Sequence, residues 1–179
     1  CNTASAKALR SIQQQDLPLI DPSRRVLGVI RPSVEQVGLL TKTGHVGVLG
    51  TTGTVTSGSY QIEIQKIFPQ IQVFQQSCPM WVPLVENGEY QDAGADFFVQ
   101  RDLQLLFAQS SHIDTIILGC THYPLLIEKI KKYLPKHVNL LSQGEIVAHS
   151  LADYLARHSS MVQRCSQSGE RIFLTTDNA

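Results

Sequence analysis

Four cysteines, Cys1, Cys78, Cys120 and Cys165, are the strongest candidates for chemistry in this 179-residue chain, and two of them have similar surroundings. Cys120 follows the apolar run Thr115-Ile116-Ile117-Leu118-Gly119 and precedes Thr121-His122-Tyr123-Pro124. Pro124 suits the first turn of a helix. Cys120 therefore stands at the carboxyl end of a strand, close to a helix N-terminus whose free N–H groups and dipole favour a thiolate. Cys1 is followed by Asn2-Thr3 and a helix-forming stretch from Ala4 to about Gln13, so it too precedes two hydrogen-bonding residues and a helix. Cys78 and Cys165 lack such flanks and read as small packed hydrophobes. Cys120-x-His122 lacks the second ligand pair of a structural zinc site, and no Cys-x-x-Cys occurs. There is no GxGxxG, GxxxxGK[ST] or GxSxG segment, so no cofactor is implied. Two thiols flanked by amides and hydroxyls suit inversion at a carbon acid: one removes a proton from one face, the other returns a proton to the opposite face, and the roles swap for the reverse reaction. A leading Cys1 is also compatible with an N-terminal-nucleophile hydrolase, in which its own α-amino group is the base.

The elements that must position these groups follow from hydrophobic period. Short β-branched runs at Val26–Ile30, Val46–Gly50, Ile71–Phe74 and Thr115–Gly119 are apolar on both faces, as buried parallel strands are. Between them Tyr60, Ile64, Ile67 and Phe68 recur at helical spacing, as do Val99, Leu103, Leu106 and Phe107, and Leu126, Ile130, Tyr133 and Leu134. A further helix is predicted from about Glu145 to Arg157 with Val147, Leu151, Tyr154 and Leu155 inward, and a strand in the tail at Arg171–Thr176. Alternating strand and helix predicts an α/β architecture with a parallel sheet, whose ligands gather outside the carboxyl ends of the strands. The stacked antiparallel sheets typical of N-terminal-nucleophile hydrolases do not fit that order. Breaks fall near Arg31-Pro32-Ser33 and near Leu141-Ser142-Gln143-Gly144.

Composition narrows the function classes. Fifteen Lys and Arg balance fifteen Asp and Glu, which removes the basic surplus of a nucleic-acid or acidic-membrane binder. A 42% hydrophobic and 17% charged composition is that of a chain with a packed core. No apolar run reaches the roughly 18 residues that span a bilayer. Four scattered cysteines fit a reduced, cytoplasmic setting better than a disulfide scaffold.

Two segments, Cys1-Asn2-Thr3-Ala4-Ser5-Ala6 and Leu118-Gly119-Cys120-Thr121-His122-Tyr123-Pro124-Leu125-Leu126, resemble the signature segments of bacterial glutamate racemases within the aspartate/glutamate racemase superfamily. Gly28-Val29-Ile30-Arg31-Pro32, Gly47-Val48-Leu49-Gly50-Thr51 with Thr54, and Cys78-Pro79-Met80-Trp81-Val82-Pro83-Leu84-Val85-Glu86 are similar to further family segments, in order. The resemblance implies a cofactor-independent racemase that interconverts L- and D-glutamate for peptidoglycan, a homodimer in the intact parent. It implies two doubly wound parallel-sheet domains: residues 1–31 with 143–179 as a remnant of the first, and residues 32–142 as the second. Carried over, Cys1 and Cys120 are the acid/base thiols, and His122 and Glu86 form a pair beside Cys120. Asn2, Thr3, Thr121 and His122 line the substrate, with Thr51 and Thr54 at its carboxylates. From residues alone, Gly50-Thr51-Thr52-Gly53-Thr54 before a helix is equally well read as a helix cap. A superfamily sibling acting on aspartate, hydantoins or maleate, and a non-catalytic remnant that binds glutamate or a partner protein, are alternatives.

In the family an Asp-Ser-Gly motif and a Tyr-Gly pair precede the first cysteine, and Leu141-Ser142-Gln143-Gly144 lacks the Asp-Ser-Gly frequent at that place. The expectation is a fragment with little or no activity. The purified 179-residue chain should therefore form D-glutamate from L-glutamate far below the roughly 1–10³ s⁻¹ of ordinary enzymes; turnover in that range overturns the expectation.

Overall fold

Three of the β-branched runs pair into one sheet. The structure, a computed structural model, describes residues 1–174. Helices α1 (Asn2–Lys7) and α2 (Leu9–Ser11), a π-helical turn (Ile12–Asp16) and α3 (Leu17–Ile20) lead into α4 (Ile30–Leu40). Strand β1 (His45–Gly50), α5 (Thr52–Thr56), α6 (Ser59–Ile67), β2 (Gln72–Ser77), α7 (Trp81–Glu86) and α8 (Ala93–Gln109) follow. Then come β3 (Thr115–Gly119), a 3₁₀ turn (Tyr123–Leu126), α9 (Ile127–Tyr133), β4 (Asn139–Leu141), α10 (Gln143–Arg157) and α11 (Ser159–Arg164). All the strands are parallel, in the order β2-β1-β3-β4.

The period of two along each strand divides the apolar side chains between two cores. Leu49, Ile116 and Leu118 face one side, where they meet Val99, Leu103 and Leu106 of α8 and Ile130 of α9. Val46, Val48 and Ile117 face the other, against Val34 and Val37 of α4 and Tyr60 and Ile64 of α6. A β-carbon at Gly47 would come within 2.8 Å of Leu106 Cδ2 and 3.2 Å of Ile116 Cγ1; its absence lets α8 lie close on the sheet.

The run Val26–Ile30 is not a strand. Val26 to Gly28 have no regular structure and Ile30 already opens α4. Side chains take the place of a ladder: the Val29 N–H donates to Ser5 Oγ (3.3 Å), and the Val29 carbonyl accepts from Ser33 Oγ (3.3 Å) and Gln143 Nε2 (3.4 Å). The fourth strand is instead β4, three residues that pattern reading passes over because they are too few to display a period.

The chain divides into two compact units, Cys1–Val147 and a second that begins at Ala148. In the second, Tyr154 stacks on His158 with centroids 4.0 Å apart, and Arg157 bonds Asp153. Leu151, expected inward, is exposed, as is Cys165, expected to be packed. Arg171–Leu174 are exposed and not a strand; the rest of that expected element, Thr175 and Thr176, lies outside the described residues.

At the amino end of the sheet, buried Asp114 ties the α4–β1 loop to β3. Its carboxylate accepts from Thr41 Oγ1 (2.6 Å), the Lys42 N–H (2.7 Å), the Thr43 N–H (2.9 Å) and Thr115 Oγ1 (3.1 Å). Burial acts to raise its pKa, but these donors outweigh it and hold the group at about 2. A folded pKa below the unfolded value of about 3.9 contributes stability that is complete above the unfolded value and is lost as pH falls through the folded one. Asp114→Asn should therefore cost about 1–3 kcal/mol at pH 7. In urea denaturation the gap to the parent should shrink as pH falls from 4 toward 2.

Candidate active site

Strand β1 lies between β2 and β3. The chain leaves β1 for β2 on one side and crosses back to β3 on the other, so the loops after β1 and β3 diverge at a topological switch point, where doubly wound sheets bind ligands. The last residues of these strands, Gly50 and Gly119, are register partners. A β-carbon on Gly119 would approach the Leu49 carbonyl oxygen to 3.0 Å and Tyr60 Cε2 to 3.2 Å. Glycine there lets Cys120 follow directly on a tightly paired strand end.

The loop after β1 meets the start of the chain. Thr51 caps α5, its hydroxyl accepting from the Thr54 N–H at 3.3 Å. The same hydroxyl lies 2.9 Å from Thr3 Oγ1 and 3.1 Å from Thr54 Oγ1, and Thr3 and Thr54 are 3.3 Å apart. Capping is thus one of two roles, and residues 48 positions apart form a triangle of hydroxyls. Each hydroxyl can donate or accept, so the triangle can turn its protons toward carboxylate oxygens. Close packing of α1 on α5 makes this possible, since Thr3 Cγ2 lies only 3.1 Å from where a β-carbon on Gly53 would be.

The loop after β3 carries a second constellation. Cys120 Sγ lies 3.7 Å from His122 Nδ1, and His122 Nε2 bonds Glu86 Oε1. A carboxylate only accepts, which puts the imidazole proton on Nε2 and turns the Nδ1 lone pair to the thiol. Glu86 is delivered by α7, anchored through buried Trp81, whose ring packs 4.8 Å from that of Tyr123. Tyr123 in turn donates to the Cys78 carbonyl at 3.1 Å. Burial and the adjacent Asp102 push the Cys78 thiol well above its ordinary value, leaving it a packing group.

The electrostatics of Cys120 depart from the expectation of a ready thiolate. Burial raises its pKa, and this outweighs the hydrogen bonds from the backbone N–H groups of His122, Tyr123 and Thr121, which lower it. The backbone donors are those the sequence suggests, but the site is drier than the sequence reveals, so Cys120 rests as a thiol. The Cys1 nitrogen lies within electrostatic reach of Cys120, which puts the two signature segments near each other.

Of the remaining expected residues, Cys1 and Thr121 are exposed, and Asn2 is buried with its Oδ1 accepting from Tyr60 at 2.6 Å. Tyr60, Ser33 and Gln143 escape sequence reading. Tyr60 occupies an apolar helical stripe, and nothing local marks its hydroxyl as functional. Among the described residues no three His, Cys, Asp or Glu side chains converge as a metal site requires.

A parallel α/β sheet with hydroxyls and a buried thiol at its switch point defines a class of small-molecule enzyme fold, and comparison with known proteins narrows it. Residues 1–151 match the family model for Asp/Glu/hydantoin racemases. The chain is 39% identical to glutamate racemase of Bacillus cereus over 176 residues, covering 98% of this chain and 62% of that protein. It is 35% identical to that of Geobacter metallireducens, covering 99% of this chain and 62% of that protein. Among solved structures, Bacillus anthracis glutamate racemase RacE1 superposes with a TM-score of 0.79 at 36% identity, covering 88% of this chain and 56% of that one. The Francisella tularensis glutamate racemase bound to D-glutamate gives 0.77 at 31% identity, covering 89% and 56%. The chain belongs to the Asp/Glu/hydantoin racemase family. It spans 62% of the length of these curated relatives.

Exposure and thiol acidity together predict alkylation order. With iodoacetamide at pH 7.5, peptide mapping should find Cys1 and Cys165 modified first. Cys120 should react appreciably only as pH rises past the ordinary thiol range, since only the thiolate attacks, and Cys78 only on unfolding.

Proposed function

We propose that the parent protein interconverts L- and D-glutamate without a cofactor, Cys1 and Cys120 serving as the two acid/base thiols. The observation that carries this reading is the meeting of the Cys1-Asn2-Thr3 segment with the loops after β1 and β3, in a chain 39% identical to a glutamate racemase. One cysteine, as thiolate, takes the α-proton from one face of the substrate. The other, as thiol, gives a proton to the opposite face of the resulting carbanion, and the cysteines end with their protonation states exchanged. Burial of Cys120 favours its role as the initial proton donor. After it has donated, a proton taken up from solvent at His122 Nδ1, with the Nε2–H held by Glu86, would reload the new Cys120 thiolate.

Thr3, Thr51 and Thr54 supply hydroxyls for the substrate carboxylates, and Asn2, Thr121 and His122 complete its lining. On this reading residues 1–31 with 143–179 belong to one domain of the parent and 32–142 to the other, and the parent acts in the cytoplasm as a homodimer supplying D-glutamate to peptidoglycan.

The test is proton NMR of glutamate in D₂O with a chiral assay for D-glutamate. In the intact parent, Cys1→Ser and Cys120→Ser should each lower racemisation by about 10²–10⁴-fold, the range general acid–base groups contribute, with glutamate binding retained. Each should keep α-proton exchange for only the enantiomer whose hydrogen faces the surviving thiol. A single variant that racemises at the parental rate overturns the two-thiol assignment.

A further inference from the structure

Beside Cys120 runs a chain of buried hydrogen bonds that the proposed chemistry does not use. Gln143, at the start of α10, places its Nε2 2.6 Å from Ser33 Oγ on α4 and 2.7 Å from the Tyr60 hydroxyl on α6. Tyr60 donates to Asn2 Oδ1 at 2.6 Å. Asn2, Ser33 and Gln143 are buried, Tyr60 is fully so, and Asn2 Nδ2 finds no hydrogen-bond partner among the described residues.

The direction of this chain is dictated by one backbone carbonyl. The Val29 carbonyl can only accept, and Ser33 Oγ donates to it at 3.3 Å. With its single proton committed there, Ser33 must accept from Gln143, so the Gln143 amide presents its NH₂ end. That NH₂ also donates to Tyr60, whose own proton must then go to Asn2. The acceptor end of Asn2 is consumed, and its NH₂ is left over as a buried donor in the residue next to Cys1. Burial and the nearby Cys120 raise the Tyr60 pKa, against the lowering hydrogen bond from Gln143, which keeps the hydroxyl a proton-bearing donor. A buried donor with no partner is costly, and a ligand oxygen that meets it removes that cost.

We infer that Tyr60 is a positioning residue: oriented by Gln143 and Ser33, its hydroxyl turns the Asn2 amide so that an NH₂ donor faces the ligand, making this corner of the site a receptor for a carboxylate oxygen. The inference rests on the glutamate reading and deepens it. The specificity it explains is for anion over amide, because a ligand amide NH₂ directed at the Asn2 NH₂ meets donor with donor.

The device can be reversed by one isosteric change. In Gln143→Glu the carboxylate only accepts, so the Tyr60 proton turns to it, the Tyr60 oxygen accepts from Asn2, and Asn2 offers its carbonyl to the ligand. By calorimetry, D-glutamate affinity should fall about 10- to 100-fold, the worth of a hydrogen bond to a charged group. The preference over either glutamine or isoglutamine, whichever replaces the carboxylate at Asn2, should narrow. Tyr60→Phe should cost less, because the amide is freed and not reversed, and Gln143→Glu added to Tyr60→Phe should cost nothing further.

An equal loss from Gln143→Glu in both backgrounds, or an unchanged preference for the acid over both amides, overturns the inference. Asn-selective ¹⁵N spectra test the relay without a ligand. The Asn2 side-chain NH₂ signals should move in Gln143→Glu and stay at their Tyr60→Phe positions in the double variant; no movement in Gln143→Glu overturns the relay even if the protein binds no glutamate, whereas movement in an intact parent that binds no glutamate rejects the glutamate reading alone.

Discussion

The pairing of Gly50 with Gly119 is the constraint on which the rest of the site depends. Two parallel strands end side by side, and their continuations part in opposite directions across the sheet. That geometry separates the two loops at the strand ends, and it holds only while Gly119 carries no bulk where Tyr60 of α6 and the Leu49 carbonyl press in. Everything with chemical potential is then hung from the two loops: hydroxyls from the one after β1, the thiol and imidazole from the one after β3. The chain's first residues fold back to join them. The sheet binds these loops so closely because its strands are buried on both faces, with α8 and α9 covering one side and α4 and α6 the other.

Burial has two opposed consequences at these strand ends. It raises the Cys120 thiol despite several well-placed backbone donors, so a dipole argument made from a helix start alone gives the wrong resting state. It also makes the polar chain from Ser33 to Asn2 directional, because the Val29 carbonyl can only accept and the Ser33 hydroxyl has a single proton to give it. The exposed His122–Glu86 pair is worth little as a surface salt bridge. Its consequence is to choose the tautomer that turns a lone pair toward the thiol. Asp114 at the other end of the sheet shows the contrasting case, where enough donors converge to overcome burial and keep a carboxylate ionised.

Much of this was legible in the residue order, and the parts that were not share a cause. The β1, β2 and β3 runs, the α6 and α8 periods and the Cys120–His122 spacing are local patterns, readable within a few residues. Val26–Ile30 has the same local pattern as a strand yet is none, because Ser5, Ser33 and Gln143 satisfy its backbone from elsewhere in the chain. Strand β4 exists because β3 offers it an edge, with little help from its own three residues. Tyr60 looked like one more apolar helix position, since its partners Asn2 and Gln143 are 58 and 83 residues away.

The sequence by itself determined which side chains are available for acid–base and hydrogen-bond chemistry, the alternation of strand and helix, and the resemblance that named a family. Tertiary structure alone decided that the Cys120 thiol rests protonated, that Thr3 joins Thr51 and Thr54, and which end of the Asn2 amide is left over. Protonation and amide orientation depend on desolvation and on partners remote in the chain, and neither quantity exists until the two strand ends and the helices around them have packed.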